Sequence, residues 1–155
     1  MRKTPGRQRG FTLVELMTVI VVLTIMAMIA APGMQSLIAS QRARGAAQDL
    51  ISDLMRARSE AVKRNKDVVL SPVVDWAGGW SVKTVADAEL IGQRNPVGGK
   101  IQMTRSPSSI IYDGSGRLSG ATSTVRFELF DGESSYRCIT VDPSGMPTTR
   151  TKACP

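Results

Sequence analysis

A long apolar run near the N-terminus constrains this chain more than any other feature of its sequence. The run from Leu16 to Ala31 contains no charged residue, and Phe11 to Val14 extend it so that only Glu15 interrupts residues 11–31. A helix over these residues would be about 31 Å long at about 1.5 Å per residue, which matches the hydrocarbon core of a bilayer. The alternative is a buried core helix, but little of the chain remains to surround a helix that is apolar on all sides. We therefore predict a transmembrane helix over residues 11–31.

The flanking residues indicate the orientation of this helix. Basic residues and no acid precede it, namely Arg2, Lys3, Arg7 and Arg9. By the positive-inside rule the N-terminus stays in the cytoplasm and the residues after Ala31 are exported. A cleaved secretory signal peptide has a similar beginning, but Pro32 and a continuing helical pattern favour retention of the run. In an oxidising exported compartment, Cys138 and Cys154 are predicted to pair.

The helical pattern continues beyond Pro32 in amphipathic form. Apolar residues recur at steps of three and four, and Arg58 falls at the same spacing. The apolar residues are Leu37, Ile38, Ala47, Leu50, Ile51, Leu54, Met55, Ala61 and Val62. Charged residues fall largely elsewhere: Arg42, Arg44, Asp49, Asp53, Arg56, Glu60 and Lys63. This pattern predicts one helix from Phe11 to Arg64, amphipathic over 32–66 and kinked where Pro32 removes a backbone hydrogen bond. The interspersed acids favour a solvated face over a nucleic-acid contact.

From Asp67 onward the apolar period changes to two, which is typical of β-strands. Segments of this kind, separated by turns rich in glycine and proline, lie at 68–74, 79–85, 100–104, 109–112, 124–130 and 136–142. The expected fold class is α+β, with the long N-terminal helix packed on one face of an antiparallel sheet in a β-rich head domain over 67–155. Trp76 and Trp80 flank a Gly-Gly turn, and we expect them to pack at the sheet edge rather than to stack on a ligand.

Composition argues against an enzyme. Histidine is absent, which removes the commonest general base and metal ligand. The segment Gly98-Gly99-Lys100 lacks the upstream glycine and the following Ser or Thr of a P-loop, and Glu128 and Glu133 carry no sign of burial. We predict no catalytic residue, no metal and no cofactor.

The junction Gly10-Phe11-Thr12-Leu13-Val14-Glu15 resembles the class III signal of type IV prepilins and type II secretion pseudopilins. The resemblance implies that residues 1–10 are a leader, which a prepilin peptidase cuts between Gly10 and Phe11 before it methylates Phe11. It also implies that Glu15 directs subunit assembly and that Pro32 marks the helix kink common in this family.

The position of Glu15 is consistent with that role on physical grounds. A lone carboxylate inside hydrocarbon is costly unless it has a partner. The amine freed on Phe11 lies four residues away, one helical turn within the subunit, and the amine of a neighbouring subunit is the other candidate partner. A location of Glu15 at the level of the lipid headgroups is the remaining alternative.

The rest of the chain resembles the GspH/FimT (FimU-like) group of minor pilins and pseudopilins. The resemblance rests on residues 54–65, on Val68 to Leu70, on Trp76-x-x-Gly79-Trp80 and on the layout from Phe127 to Cys154. It implies a type IV pilin-like fold and a minor pilin that acts in a tip complex to start type IV pilus assembly, with roles in twitching, adhesion or DNA uptake. The implied partners are other minor pilins and the major pilin, or pseudopilins. The implied location is the inner membrane, crossed once with a periplasmic head, and then the filament tip.

Two alternative functions stay open. One is a GspH-like minor pseudopilin of type II secretion, and the other is a FimT-like DNA receptor for natural transformation. DNA binding requires clustered Lys and Arg, whereas loss of the leader charges lowers the formal charge from +7 to +3. DNA-binding members carry a Gly-Arg-x-Arg-like element near the C-terminus, where this chain retains only Arg150 and Lys152. A DNA contact at these two residues is therefore not favoured.

Overall fold

The computed structural model describes residues 10–133 and 135–155, with the backbone alone at residues 30–32. The predicted leader therefore lies outside the described residues, apart from Gly10. The chain divides into two compact units, 1–35 and 36–155. Helix α1, which runs from Leu13 to Arg64, contributes to both units.

Within the 36–155 unit, α1 buries one stripe of small and aliphatic residues: Ala43, Ala46, Ala47, Leu50, Leu54, Ala57 and Ala61. Steps of three and four keep these positions on one helical face. Met55 and Val62, which the sequence placed on this face, are 41% and 51% exposed, because each lies one residue, about 100°, past the stripe. Asp53, predicted on the solvated face, is instead buried.

Helix α1 ends in a Schellman motif. The backbone N–H of Asn65 donates to the carbonyl oxygen of Val62 at 3.3 Å, and that of Lys66 donates to Ala61 at 3.2 Å. Asn65 has φ 49°, the left-handed conformation that this motif requires and that asparagine adopts more readily than most residues. The Schellman motif therefore ends the helix at Arg64, the residue at which the sequence pattern predicts its end.

Eight strands follow in the described residues: β1 Val68–Pro72, β2 Trp80–Thr84, β3 Leu90–Gln93, β4 Gln102–Thr104, β5 Ile110–Tyr112, β6 Val125–Phe130, β7 Tyr136–Val141 and β8 Pro147–Arg150. The α+β class with antiparallel strands is confirmed. The strands form two four-stranded sheets, β3-β2-β1-β5 and β4-β6-β7-β8, rather than the single sheet predicted. The sequence predicted six of the strands. It missed β3 and β8, which lie at sheet edges, where alternating burial is not required.

One hydrophobic core lies among α1 and both sheets. Trp80 lies on the inner strand β2 and is 1% exposed, and Trp76 is 5% exposed. The ring of Trp76 meets Phe127 of β6 edge-on, with centroids 4.8 Å apart. The expected location of both tryptophans at a sheet edge is therefore wrong: their rings fill the core, where such large side chains bury the most apolar area.

Candidate functional site

Thr12 caps the beginning of α1. The backbone N–H of Glu15 donates to Thr12 Oγ1 at 3.3 Å, and that of Leu16 donates to the Thr12 carbonyl oxygen at 3.2 Å. The Thr-x-x-Glu spacing is that of a capping box, and an acid in the first turn faces the positive end of the helix dipole. Sequence reasoning missed this local role of Glu15, although the spacing was the signal for it.

Phe11 precedes the cap and lies outside α1. The helical spacing that predicted an ion pair between the Phe11 amine and Glu15 within one subunit therefore does not apply to this pair. Pairing of Glu15 with an amine stays a prediction, as does the kink at Pro32, a residue inside α1.

Large apolar side chains are exposed on every side of the 11–29 segment, each by 45% to 77%: Phe11, Leu13, Val14, Leu16, Met17, Val19, Ile20, Val21, Val22, Leu23, Ile25, Met26, Met28 and Ile29. Two hydroxyls in this segment bond back to the helix, Thr18 Oγ1 to the Glu15 carbonyl at 2.8 Å and Thr24 Oγ1 to the Val21 carbonyl at 2.7 Å. Such internal bonds let threonine enter an apolar medium without an unpaired donor. The surface of this segment is therefore suited to apolar surroundings.

Among the described residues, no single helix is by itself long and apolar enough to cross a membrane. The segments Leu13–Ile29 and Gly33–Arg64 satisfy that test together, by length and composition.

Arg58 links the second half of α1 to two turns of the head. Its Nε donates to the Gly116 carbonyl oxygen at 2.9 Å, and its Nη1 lies 3.0 Å from Met146 Sδ. A Cβ at Gly145 would overlap the Gly116 carbonyl oxygen, so glycine allows the two turns to approach each other closely. Arg58 thus holds the β5–β6 and β7–β8 connections against one helix.

The two turns share a hydrogen-bonding pattern. Asp113 Oδ1 accepts from the backbone N–H of Ser115, and Asp142 Oδ1 accepts from that of Ser144, at 2.8 Å in both cases. Hydrogen bonds from the serine hydroxyls are the main cause that holds the pKa of each aspartate below its usual value. These acids are thus committed to turn structure.

Further along α1, Arg64 makes a second link to the head. Its Nε lies 2.7 Å from Glu60 Oε2 and its Nη1 lies 2.7 Å from Glu89 Oε2. The hydrogen bond from Arg64 is the main cause that lowers the pKa of Glu60. The segment 54–65, on which the resemblance rested, therefore contacts the head in two ways: Leu54, Ala57 and Ala61 face the core, and Arg58 and Arg64 bind loops.

A buried carboxylate connects α1 to the sheet containing β2. Trp80 Nε1 donates to Asp53 Oδ2 at 2.9 Å, and Arg94 Nε donates to the same oxygen at 3.0 Å. Arg94 Nη1 also lies 3.6 Å from Asp49 Oδ1. The hydrogen bond to Asp53 is the main cause that raises the pKa of Arg94. Asp53 thus fixes a core tryptophan and the beginning of the β3–β4 connection at once.

Cys138 and Cys154 form a disulfide with Cα atoms 5.0 Å apart, as predicted. It ties the C-terminal segment to β7, and the Cys154 N–H donates to Glu128 Oε2 of β6 at 2.7 Å. Arg105 Nη1 donates to the Cys154 carbonyl oxygen at 3.0 Å. Glu128 is therefore an anchor for this segment.

Arg150 and Lys152 are exposed, as a nucleic-acid contact would require. Arg150 pairs with Cys138 across β7–β8, and Cys138 pairs with Glu128 across β6–β7. Arg150 and the acid Glu128 are therefore at the same level of the sheet, two strands apart. Nothing in this arrangement adds to the case for DNA, and that contact stays an unfavoured prediction. Over residues 10–133 and 135–155, no group of three or more His, Cys, Asp or Glu residues is placed to hold a metal ion.

Two protein families match this chain. Residues 46–145 match the family described as type II transport protein GspH. Residues 5–31, which include Gly10, Phe11 and Glu15, match the family described as prokaryotic N-terminal methylation motif. A comparison with curated proteins finds no match.

Two crystal structures of the type IV minor pilin FimU from Pseudomonas aeruginosa strain PAO1 are similar to this one. The first has a TM-score of 0.65 and 17% identity, and the similarity covers 74% of this chain and 94% of the FimU chain. The second, in another crystal form, has a TM-score of 0.59 and 20% identity and covers 72% and 96%. At these identities the similarity shows a shared fold.

The resemblance drawn from the sequence is thus confirmed. The GspH match covers most of the 36–155 unit, and the methylation motif covers the capped beginning of the apolar helix. The motif and the helix are typical of a membrane-anchored pilin. The chain belongs to the GspH family of type IV pilin-like minor pilins and pseudopilins, which are structural subunits that assemble with other pilins.

Proposed function

We propose that this protein is a minor pilin that helps to start a type IV pilus as part of a complex at the filament tip. The observation that carries the proposal is the apolar surface of residues 11–29, which is exposed on all sides and contains one acid, Glu15, in the first turn of α1 beside its Thr12 cap. A helix of this kind requires lipid before assembly and other apolar helices afterwards. The subunit would cross the inner membrane once, with a cytoplasmic N-terminus and a periplasmic head, and then move to the pilus.

Processing by a prepilin peptidase is part of this proposal. Cleavage between Gly10 and Phe11 would leave a methylated amine at Phe11, just before the Thr12 cap. Because Phe11 lies outside α1, the spacing of one helical turn does not by itself place the amine beside Glu15. This supports pairing of Glu15 with the amine of a neighbouring subunit, which would set the axial register of the filament while neutralising both charges.

Replacing Glu15 with glutamine distinguishes the role of its charge from its role in the helix cap. Glutamine retains the capping-box geometry but offers no charge to an amine. We expect assembly of the variant into pili to fall about tenfold, equivalent to about 1.4 kcal/mol, because an ion pair in an apolar medium is lost. The measurement is the amount of the subunit in sheared pili relative to membranes.

The matched control is Thr12→Ala, which removes the cap but retains the charge and should change assembly far less. In both variants, N-terminal sequencing of the mature chain should begin at Phe11, so that a processing defect is not mistaken for an assembly defect. Assembly of Glu15→Gln at the level of the parent chain would contradict the proposed role of the carboxylate.

A pseudopilin of type II secretion is the second candidate, favoured by the description of the matched family. Deletion of the gene decides between the two functions. Loss of surface pili with normal exoprotein release is the result we expect for a pilus subunit, and complementation should restore the pili. Retained pili with blocked exoprotein release would overturn the first proposal in favour of the second.

A further inference from the structure

A cleft of about 330 Å³ lies between α1 and the 94–98 segment that follows β3. Gly45 and Ala46 of α1 form one side and Val97 forms the other, while the buried ring of Trp80 lies at the bottom. All of these residues belong to the 36–155 unit. The cleft is large enough for one bulky side chain, the size of pocket that anchor residues of protein interfaces fill.

Gly45 leaves part of this space open. Glycine inside a helix costs about 1 kcal/mol relative to alanine, and such a cost is usually offset by a close approach of other atoms. In this chain a Cβ at Gly45 would meet no atom within 4 Å. Intramolecular packing therefore gives no reason for glycine at this position, and the open space is available to another molecule.

Two arginines and two acids lie at the cleft, so its formal charges balance, but one of the arginines has no ion-pair partner among the described residues. Arg94, on its rim, is paired with Asp53 and Asp49. Arg42 lies over Gly99, where a Cβ would come within 3.2 Å of its Nη1, and it forms no ion pair within the described part of the chain. An apolar hollow beside an unpaired guanidinium is complementary to an apolar side chain next to a carboxylate.

We propose that this cleft receives a segment of a neighbouring pilin subunit in which an Asp or Glu stands next to a large apolar residue. The carboxylate pairs with Arg42, and the apolar side chain fills the space over Gly45 against Trp80 and Val97. This contact rests on the proposed function, since a filament supplies the neighbouring subunit. It would add a contact on the head to those made by the apolar helix.

Photo-cross-linking in pilus-forming cells tests the contact. The photo-reactive amino acid p-benzoylphenylalanine is placed at Asn95, on the rim of the cleft, and for comparison at Thr148, on β8 of the other sheet. We expect the Asn95 probe to cross-link a pilin subunit, and mass spectrometry to locate the cross-link beside a carboxylate. Arg42→Glu should lower the yield about tenfold, because it places like charges together, and reversal of the identified acid to lysine should restore it.

Gly45→Leu and Gly45→Ala form the matched pair. Both should raise the helix propensity, but only leucine fills the cleft, so the cross-link should disappear with leucine and persist with alanine. Thermal unfolding of both purified chains in detergent verifies that they fold. Equal cross-linking in the two Gly45 variants, a cross-link to a protein other than a pilin subunit, or no response to Arg42→Glu would overturn the proposal.

Failure of the contact is distinguishable from failure of the proposed function. If the cleft is not used, the Gly45 and Arg42 variants assemble normally, while gene deletion still removes pili. If the protein is not a pilus subunit, deletion leaves pili intact, whatever the cross-links show.

Discussion

Replacing Asp53 with alanine is expected to lower the free energy of unfolding by about 2–3 kcal/mol. The variant leaves the indole N–H of Trp80 without its acceptor in a site that is 1% exposed. A buried donor without a partner costs about 1–3 kcal/mol. The substitution also removes the closer of the two carboxylates that contact Arg94. The Arg94 side chain is 38% exposed, so it regains part of its hydration and this second loss is small. Urea unfolding of the full chain in detergent, followed by far-ultraviolet circular dichroism, measures the loss.

Asp49→Ala is the matched control for this prediction. Asp49 lies one helical turn before Asp53 and contacts the same arginine, but at 3.6 Å and with its side chain 52% exposed. An exposed ion pair of this kind contributes about 0–1 kcal/mol. Equal destabilisation by the two variants would contradict the assignment of Asp53 as the buried link between helix and sheet. Asp53→Asn, which retains an acceptor for Trp80, should lie between them.

The helix was predictable from the sequence because its signals are local. The uncharged run and the three- and four-residue steps as far as Arg64 are patterns that a single stretch of chain carries, and α1 ends where they end. The N-cap was readable by the same logic, since Thr12 and Glu15 have capping-box spacing. The role of Asp53 was not, because its partner Trp80 lies 27 residues away. Amphipathic periodicity places an acid on the solvated face unless a buried donor is known.

The division into two sheets was beyond the sequence for a similar reason. Alternation predicts that a segment is a strand but does not identify its neighbour. In this fold β4 pairs with β6 and β5 pairs with β1, so consecutive strands enter different sheets. The edge strand β8 contains Pro147 and two threonines, and its residues are largely exposed. It is a strand because it pairs with β7, whereas its own composition gives little sign of one.

Removing the disulfide by the double substitution Cys138→Ser and Cys154→Ser is expected to lower the free energy of unfolding by about 3 kcal/mol. The cysteines are 16 residues apart, and closing a loop of that length restricts the unfolded chain by about this amount. Replacing both residues avoids a free thiol that could pair between molecules. Urea unfolding of the double variant, beside the parent chain with and without reductant, measures the effect.

The same substitution should have a local effect that the global loss does not explain. The segment after β8 is held by the disulfide and by hydrogen bonds to Glu128 and Arg105. These two hydrogen bonds lie near the surface and contribute about 1–3 kcal/mol each. Without the covalent link, residues 151–155 should exchange their amide hydrogens and be trimmed by added protease well before the chain unfolds. Glu128→Gln, which retains the disulfide and weakens one hydrogen bond, is the control and should resist trimming. A double variant as stable and as resistant as the parent would mean that contacts other than the covalent link hold this segment.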